Sequence, residues 1–384
     1  MLAGGEVLQR LKSSLEYEGL LKHVRASEKP FTVDGAAAPA QVLLACALAR
    51  ETGRTMVLVV QDLERARAAH GDAALFGGDG ALLLPDRDLA PYEQGPVSPQ
   101  LAAQRLDGLA RLPDLKGGVV VTTIAALHEA LPPPSRLKAF EFEVRAGGTV
   151  DREQLLHRLV AAGYRRADLV ELAGEFSARG GIVDVFCPAL GRPLRVELEG
   201  DPASSLRWFE AGSQRSLEEI PAALVGPAAE ALLTPEERVA LLERLPDPLS
   251  ARGAQRISRL RERLESGGSL EGEERYLPWV LPAPARLADY LPAGTLVLLS
   301  ESRELREHSD YLAARAAALH DELTRTKEPL PRGDELIAPP KLVWADLERF
   351  GRIFLHEFAT VSAPRVSLGA RGVSFSPKDL PAFR

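Results

Sequence analysis

Between Phe31 and Arg50 the chain reads as strand, turn and helix, and the turn runs GAAAPAQV from Gly35. A loop that cradles nucleotide phosphates needs glycine, four spacers and then Gly-Lys-Ser/Thr. Backbone amides wrap the phosphates, the lysine reaches the β- and γ-phosphates, and the hydroxyl holds magnesium. Counted from Gly35, those three slots fall on Ala40, Gln41 and Val42. None supplies the required group, and Pro39 removes an amide donor as well. No acidic magnesium motif closes a later strand. On its residues alone the segment is a strand–turn–helix without phosphate chemistry.

Other reactive residues do not assemble. The seven histidines are dispersed, without paired metal-ligand spacing, and His157 reads as an ordinary helix-surface residue. Asp86, Asp88 and Glu93 flank proline-rich turns, where loop solubility accounts for them. Cys46 and Cys187 sit in apolar surroundings and form no CxxC pair, which fits buried thiols in a reducing cytoplasm. No Ser/His/Asp or Cys/His set emerges, so no catalytic and no metal residue is assigned.

A different chemistry is offered by Phe176–Leu217, which holds three short β-type segments between Gly/Pro turns: Ile182–Phe186, Leu194–Glu199 and Ser205–Phe209. Alternation in the middle segment sends Leu194, Val196 and Leu198 to one face and Arg195, Glu197 and Glu199 to the other. A sheet with one arginine-bearing, solvated face is suited to docking rather than to bond chemistry.

The elements that must position these residues fall into three stretches. In the first, residues 1–136, Phe31–Val33, Met56–Val60, Ala81–Leu84 and Gly118–Thr122 read as buried strands, with helices at Ala40–Glu51 and Ser98–Arg111. Such alternation implies a parallel, doubly wound sheet. From residue 137 to 227 the pattern becomes α+β, with a strand at Phe140–Arg145, a helix at Asp151–Ala162 capped by Asp151, and the meander. Residues 228–358 return to helices, broken at Pro246–Pro248, a flexible connection at Ser266–Glu274, and a buried strand at Thr295–Ser300. A long helix at Ser302–Thr326 and short strands at Leu342–Val343 and Arg352–His356 follow. With so few strands, this part is expected to complete the first sheet. Residues 359–384 read as a linker. The chain of 384 residues carries net charge −7, which argues against nucleic-acid binding by bulk electrostatics. Only eight of its 47 basic residues are lysine, a bias that by itself names no partner. No apolar run reaches membrane-span length, and the N-terminus lacks a signal-peptide core.

Three segments together, Ala81–Leu112, Val119–Pro134 and Arg179–Ile220, resemble the N-terminal module of bacterial transcription-repair coupling factor. That module is itself similar to the excision-repair helicase subunit UvrB. The resemblance implies a degenerate P-loop, RecA-like parallel-sheet domain with an inserted α+β domain, an α/β fold overall. A long DNA-gripping hairpin of the helicase subunit is expected to be missing, since Tyr92 reaches Ser98 across EQGPV. In this light the loop at Gly35, Ala40, Gln41 and Val42 is an emptied nucleotide site.

The same resemblance implies a function: recruiting the damage-recognition protein UvrA through the inserted domain. RNA polymerase, DNA, ATP and magnesium would be engaged by downstream domains beyond this N-terminal fragment, so no cofactor is expected here. The family's UvrA-contacting arginines match Arg179 and Arg195. Its third contact is an exposed phenylalanine, whereas here the position is Glu199, which can pair intramolecularly with Arg195. The expectation is a cytoplasmic, non-catalytic docking module. Two alternatives stand beside it: a divergent ATP-dependent helicase or excinuclease B-type subunit, and a DNA-binding module.

Overall fold

The computed structural model describes residues 8–374 except residues 10, 14, 27–28, 78–79, 88–91, 93–97, 201–202, 246–250, 269, 271, 282–283, 326–329, 332 and 359–371. The strands in chain order are β1 (Phe31–Asp34), β2 (Met56–Val60), β3 (Ala81–Leu84), β4 (Val119–Thr123), β5 (Phe142–Arg145), β6 (Arg165–Arg166), β7 (Glu175–Arg179) and β8 (Ile182–Phe186). They continue with β9 (Pro193–Leu198), β10 (Ala203–Phe209), β11 (Ser216–Glu219), β12 (Ala222–Val225), β13 (Leu296–Ser300), β14 (Gly351–His356) and β15 (Gly372–Ser374).

The first sheet is parallel, with seven strands in the order β15-β1-β14-β13-β2-β4-β3. Its central strand β2 is buried and apolar at every position because helices cover both faces. Met56, Leu58 and Val60 point into one core with the helices Leu15–Ala26, Ala38–Thr52 and Leu63–Gly77. Val57 and Val59 point into the other, with the helices Pro99–Arg111, Ser302–Arg325 and Pro340–Leu347. The late strands β13 and β14 lie between β1 and β2, so the chain returns to this sheet after the insertion.

Two details of the first domain differ from the sequence expectation. Leu342–Val343 is not a strand but lies inside the helix Pro340–Leu347. Pro340 starts that helix in its first turn, and Val343 and Leu347, four apart, form its buried stripe. Within the expected linker, Gly372–Ser374 forms β15 on the outer side of β1, while the rest of 359–384 lies outside the described residues. Asp88 and Glu93, and residues 93–97 on which the missing hairpin was judged, also lie outside them.

The insertion is built on a six-stranded sheet, order β11-β10-β9-β8-β7-β6, rather than three strands. Neighbours are antiparallel except β6 and β7. One face packs Val183, Val185, Leu194, Val196 and Leu206 against Leu155 and Leu159 of the helix Arg152–Ala161. Asp151 caps that helix, its Oδ1 accepting from Gln154 N at 3.0 Å.

Two chain crossings join the insertion to the first domain, and each is pinned. On entry, Arg136 Nη2 donates to Leu232 O at 2.6 Å and Arg136 Nη1 to Glu237 Oε1 at 2.8 Å. On exit, Glu230 accepts from Arg105 Nε at 2.5 Å and from Arg87 Nη2 at 2.8 Å. Arg105 is buried, also pairs with Glu129 at 2.8 Å, and sits on the helix Pro99–Arg111 of the first domain. Burial alone would raise the Glu230 carboxyl, but Arg105 and Arg87 hold it down at about 2.

Candidate partner-binding face

At the phosphate-loop position, β1 gives way to Gly35, whose φ of 82° requires a left-handed turn that glycine adopts without penalty. The helix Ala38–Thr52 then starts with no side-chain cap and with Pro39 in its first turn. Gln41 stands in the lysine slot and is buried; its Nε2 donates to Ala36 O at 2.9 Å. Val42 is buried in the core and Ala40 packs against it. From the ends of the neighbouring strands come Glu301 and His356. Glu301 Oε1 accepts from Glu357 N at 2.7 Å, and Glu301 Oε2 lies 3.5 Å from His356 Nδ1. Burial would raise the Glu301 carboxyl, but His356, the Glu357 amide and Gln41 hold it below its ordinary value. A fixed carboxylate and a side-chain amide thus occupy the place where phosphates would need cations. Among the described residues no group of three or more His, Cys, Asp or Glu is placed to hold a metal ion.

The outer face of the inserted sheet is not uniformly open. Arg195 grips Asp184 with both arms of its guanidinium, Nε to Oδ1 at 2.7 Å and Nη2 to Oδ2 at 2.9 Å. Its Nη1 donates to Gln214 O and Ser216 Oγ, each at 3.2 Å, and its Cζ lies 4.8 Å from the Phe209 ring centroid. Asp184 and Phe209 are both buried. The hydrogen bonds to Asp184 raise the Arg195 pKa, keeping its charge fixed. Gln214 Nε2 donates to Val170 O at 3.1 Å, and Val170 is fully buried. Val170 belongs to the β6–β7 loop and Gln214 to the β10–β11 turn, at opposite ends of the strand order, so the two segments meet across the face and roof it. Arg195 therefore sits under a roof, paired with Asp184 rather than with Glu199.

The opposite end of the same face is open. Arg179, the last residue of β7, is exposed, and its single side-chain hydrogen bond among the described residues is Nε to Ser177 Oγ at 3.4 Å. Leu198 N donates to Gly181 O at 2.7 Å, drawing the β7–β8 turn against the end of β9. A Cβ on Gly181 would stand 2.5 Å from Leu198 O, so only glycine permits this approach. Glu199, the next residue, is exposed just past β9. The structure thus brings Arg179 and Glu199 to one tip and leaves Arg195 beneath the roof. Two residues of this face escaped the sequence reading: Asp184, and Ile182 beside Arg179. Alternation along Ile182–Phe186 would have placed both on the Arg195 face.

Comparison with known proteins bears on this sheet directly. Residues 142–230 match the family model of the UvrB interaction domain. The transcription-repair-coupling factor of Bacillus subtilis (strain 168) is 31% identical over 315 residues, which cover 79% of this chain and 27% of that protein. The Myxococcus xanthus factor is 38% identical over 193 residues, covering 48% and 16% respectively. That of Mycobacterium bovis is 33% identical over 286 residues, covering 71% and 23%. The chain spans about a quarter or less of the length of these relatives. No described helix is long and apolar enough to cross a membrane. Over most of its length the chain is similar to transcription-repair-coupling factors, and at its centre residues 142–230 match the UvrB interaction domain.

Proposed function

We propose that this chain is a non-catalytic docking module that binds the excision-repair protein UvrA and, within a transcription-repair coupling factor, brings it to stalled RNA polymerase. One observation carries the reading. The segment matching the UvrB interaction domain presents an exposed sheet tip where, among the described residues, the Arg179 side chain makes one long hydrogen bond, to Ser177. An exposed guanidinium on a rigid strand end is suited to bidentate, charge-assisted pairing with a partner carboxylate. Arg195, already engaged by Asp184, supports the tip by holding β8 to β9. The closed phosphate loop supports a module that works without nucleotide. ATP and magnesium would then act in other domains, as would contacts with polymerase and DNA.

The test is capture of purified UvrA by the immobilised chain. Arg179→Glu should abolish capture while the circular-dichroism spectrum stays unchanged. Capture that survives this charge reversal would sink the assignment. Saturable ATP binding by the isolated chain in a calorimeter would favour a helicase-type subunit instead.

A further inference from the structure

The open tip carries one large apolar side chain, Ile182, which is 39% exposed. It does not lie on a sheet edge. β8 is hydrogen-bonded on both sides, with Arg179 of β7 and Glu197 of β9 standing opposite Ile182. Directly opposed residues of an antiparallel ladder have Cβ atoms about 4.5–5.5 Å apart, so a guanidinium and a carboxylate flank it closely. Two residues further along the same face Asp184 is buried and paired with Arg195, whereas Ile182 is exposed. Gly181 adds no side chain in front of it, and Glu197 is drawn aside by Ser205, whose Oγ donates to Glu197 Oε2 at 2.6 Å.

We infer that Ile182 is the apolar anchor of the docking face, seated in an apolar pocket of UvrA while Arg179 takes a carboxylate on the pocket rim. The inference rests on the docking reading given above. Interface energy concentrates where a rigid apolar side chain fills a desolvated pocket ringed by polar contacts. A β-branched side chain in a strand has few rotamers to lose on binding. Charge sets the matching partner surface: an acid on the Arg179 side, and a cation or amide donor on the side of Glu197 and Glu199.

Affinity for purified UvrA, measured on the immobilised full chain, tests it. Ile182→Thr keeps the β-branch and should weaken binding about tenfold, and Ile182→Asp about a hundredfold or more. Leu224→Thr, at another exposed apolar residue on β12, should leave affinity unchanged. Equal affinity for the unaltered and Ile182→Thr chains removes the anchor and leaves the docking reading standing. Equal losses from Ile182→Thr and Leu224→Thr would also remove it, as the effect would not be local. Absence of binding by the unaltered chain removes both.

Discussion

The phosphate-loop mouth of the first sheet and the open tip of the inserted sheet both display polar side chains at strand ends, yet they behave oppositely. At the mouth, Gln41, Glu301 and His356 satisfy one another and the backbone around them. At the tip, among the described residues, the Arg179 side chain leans on Ser177 alone. Residue type does not separate the two regions; the internal partners of these particular side chains do, even though Asp34 Oδ1 at the end of β1 is buried without a hydrogen bond among the described residues. Arg195 belongs with the closed group although it shares a sheet face with Arg179, because Asp184, Gln214 and Ser216 take up its donors.

Substitutions in closed regions are expected to cost stability, and those at the tip to cost binding. The largest effect is expected at Glu230. Glu230→Ala leaves the buried Arg105 and the half-buried Arg87 without their shared carboxylate and should lower stability by about 3 kcal/mol in urea unfolding. The pH dependence follows the same residue. Its carboxyl is held at about 2 when folded, against 4.5 ordinarily. Its contribution is therefore complete above pH 4.5 and is lost as pH falls toward 2. Stability of the unaltered chain should drop through that window, and Glu230→Gln should flatten the drop.

Next comes Asp184→Ala, expected to cost about 2 kcal/mol because it removes the carboxylate that pairs with two of the Arg195 nitrogens and leaves only Gln214 O and Ser216 Oγ among their described hydrogen-bond acceptors; a loss below about 0.5 kcal/mol would place Arg195 with the open group. A triple change, Ala40→Gly with Gln41→Lys and Val42→Thr, restores the motif letters. It should still give no saturable heat with ATP and magnesium, since Glu301 and Pro39 remain. Heat of binding would show that the mouth is less closed than its hydrogen bonds imply. The smallest effect is Arg179→Ala on stability, expected within about 0.5 kcal/mol by thermal unfolding. A larger loss would blur the distinction between tip and mouth.

Much of the fold was legible where burial leaves a clear pattern. Met56–Val60 is apolar at every position because both faces are covered, and its bounds follow from that run. The helix Pro99–Arg111 announces itself through Ser98, whose Oγ accepts from Leu101 N. Strands without a buried face were not legible: Arg165–Arg166 and Ser216–Glu219 are wholly exposed, so no alternation marks them. Arg179 and Arg195 show the same limit. Their type and face can be read along the chain, but the pairing of Arg195 with Asp184 depends on the β8–β9 register, and the roof depends on a meeting of Val170 with Gln214 across 44 positions.

The pinned crossings at Arg136 and Glu230 bear on how a partner would be carried. A tip joined to its body by two free strands would swivel, and a protein seated there would sample many directions. Here guanidinium groups stake both strands to neighbouring backbone and carboxylates. The inserted sheet is then a bracket rather than a tether: whatever seats on Arg179 inherits the bearing of the seven-stranded body, and a pull on one is transmitted to the other with little slack.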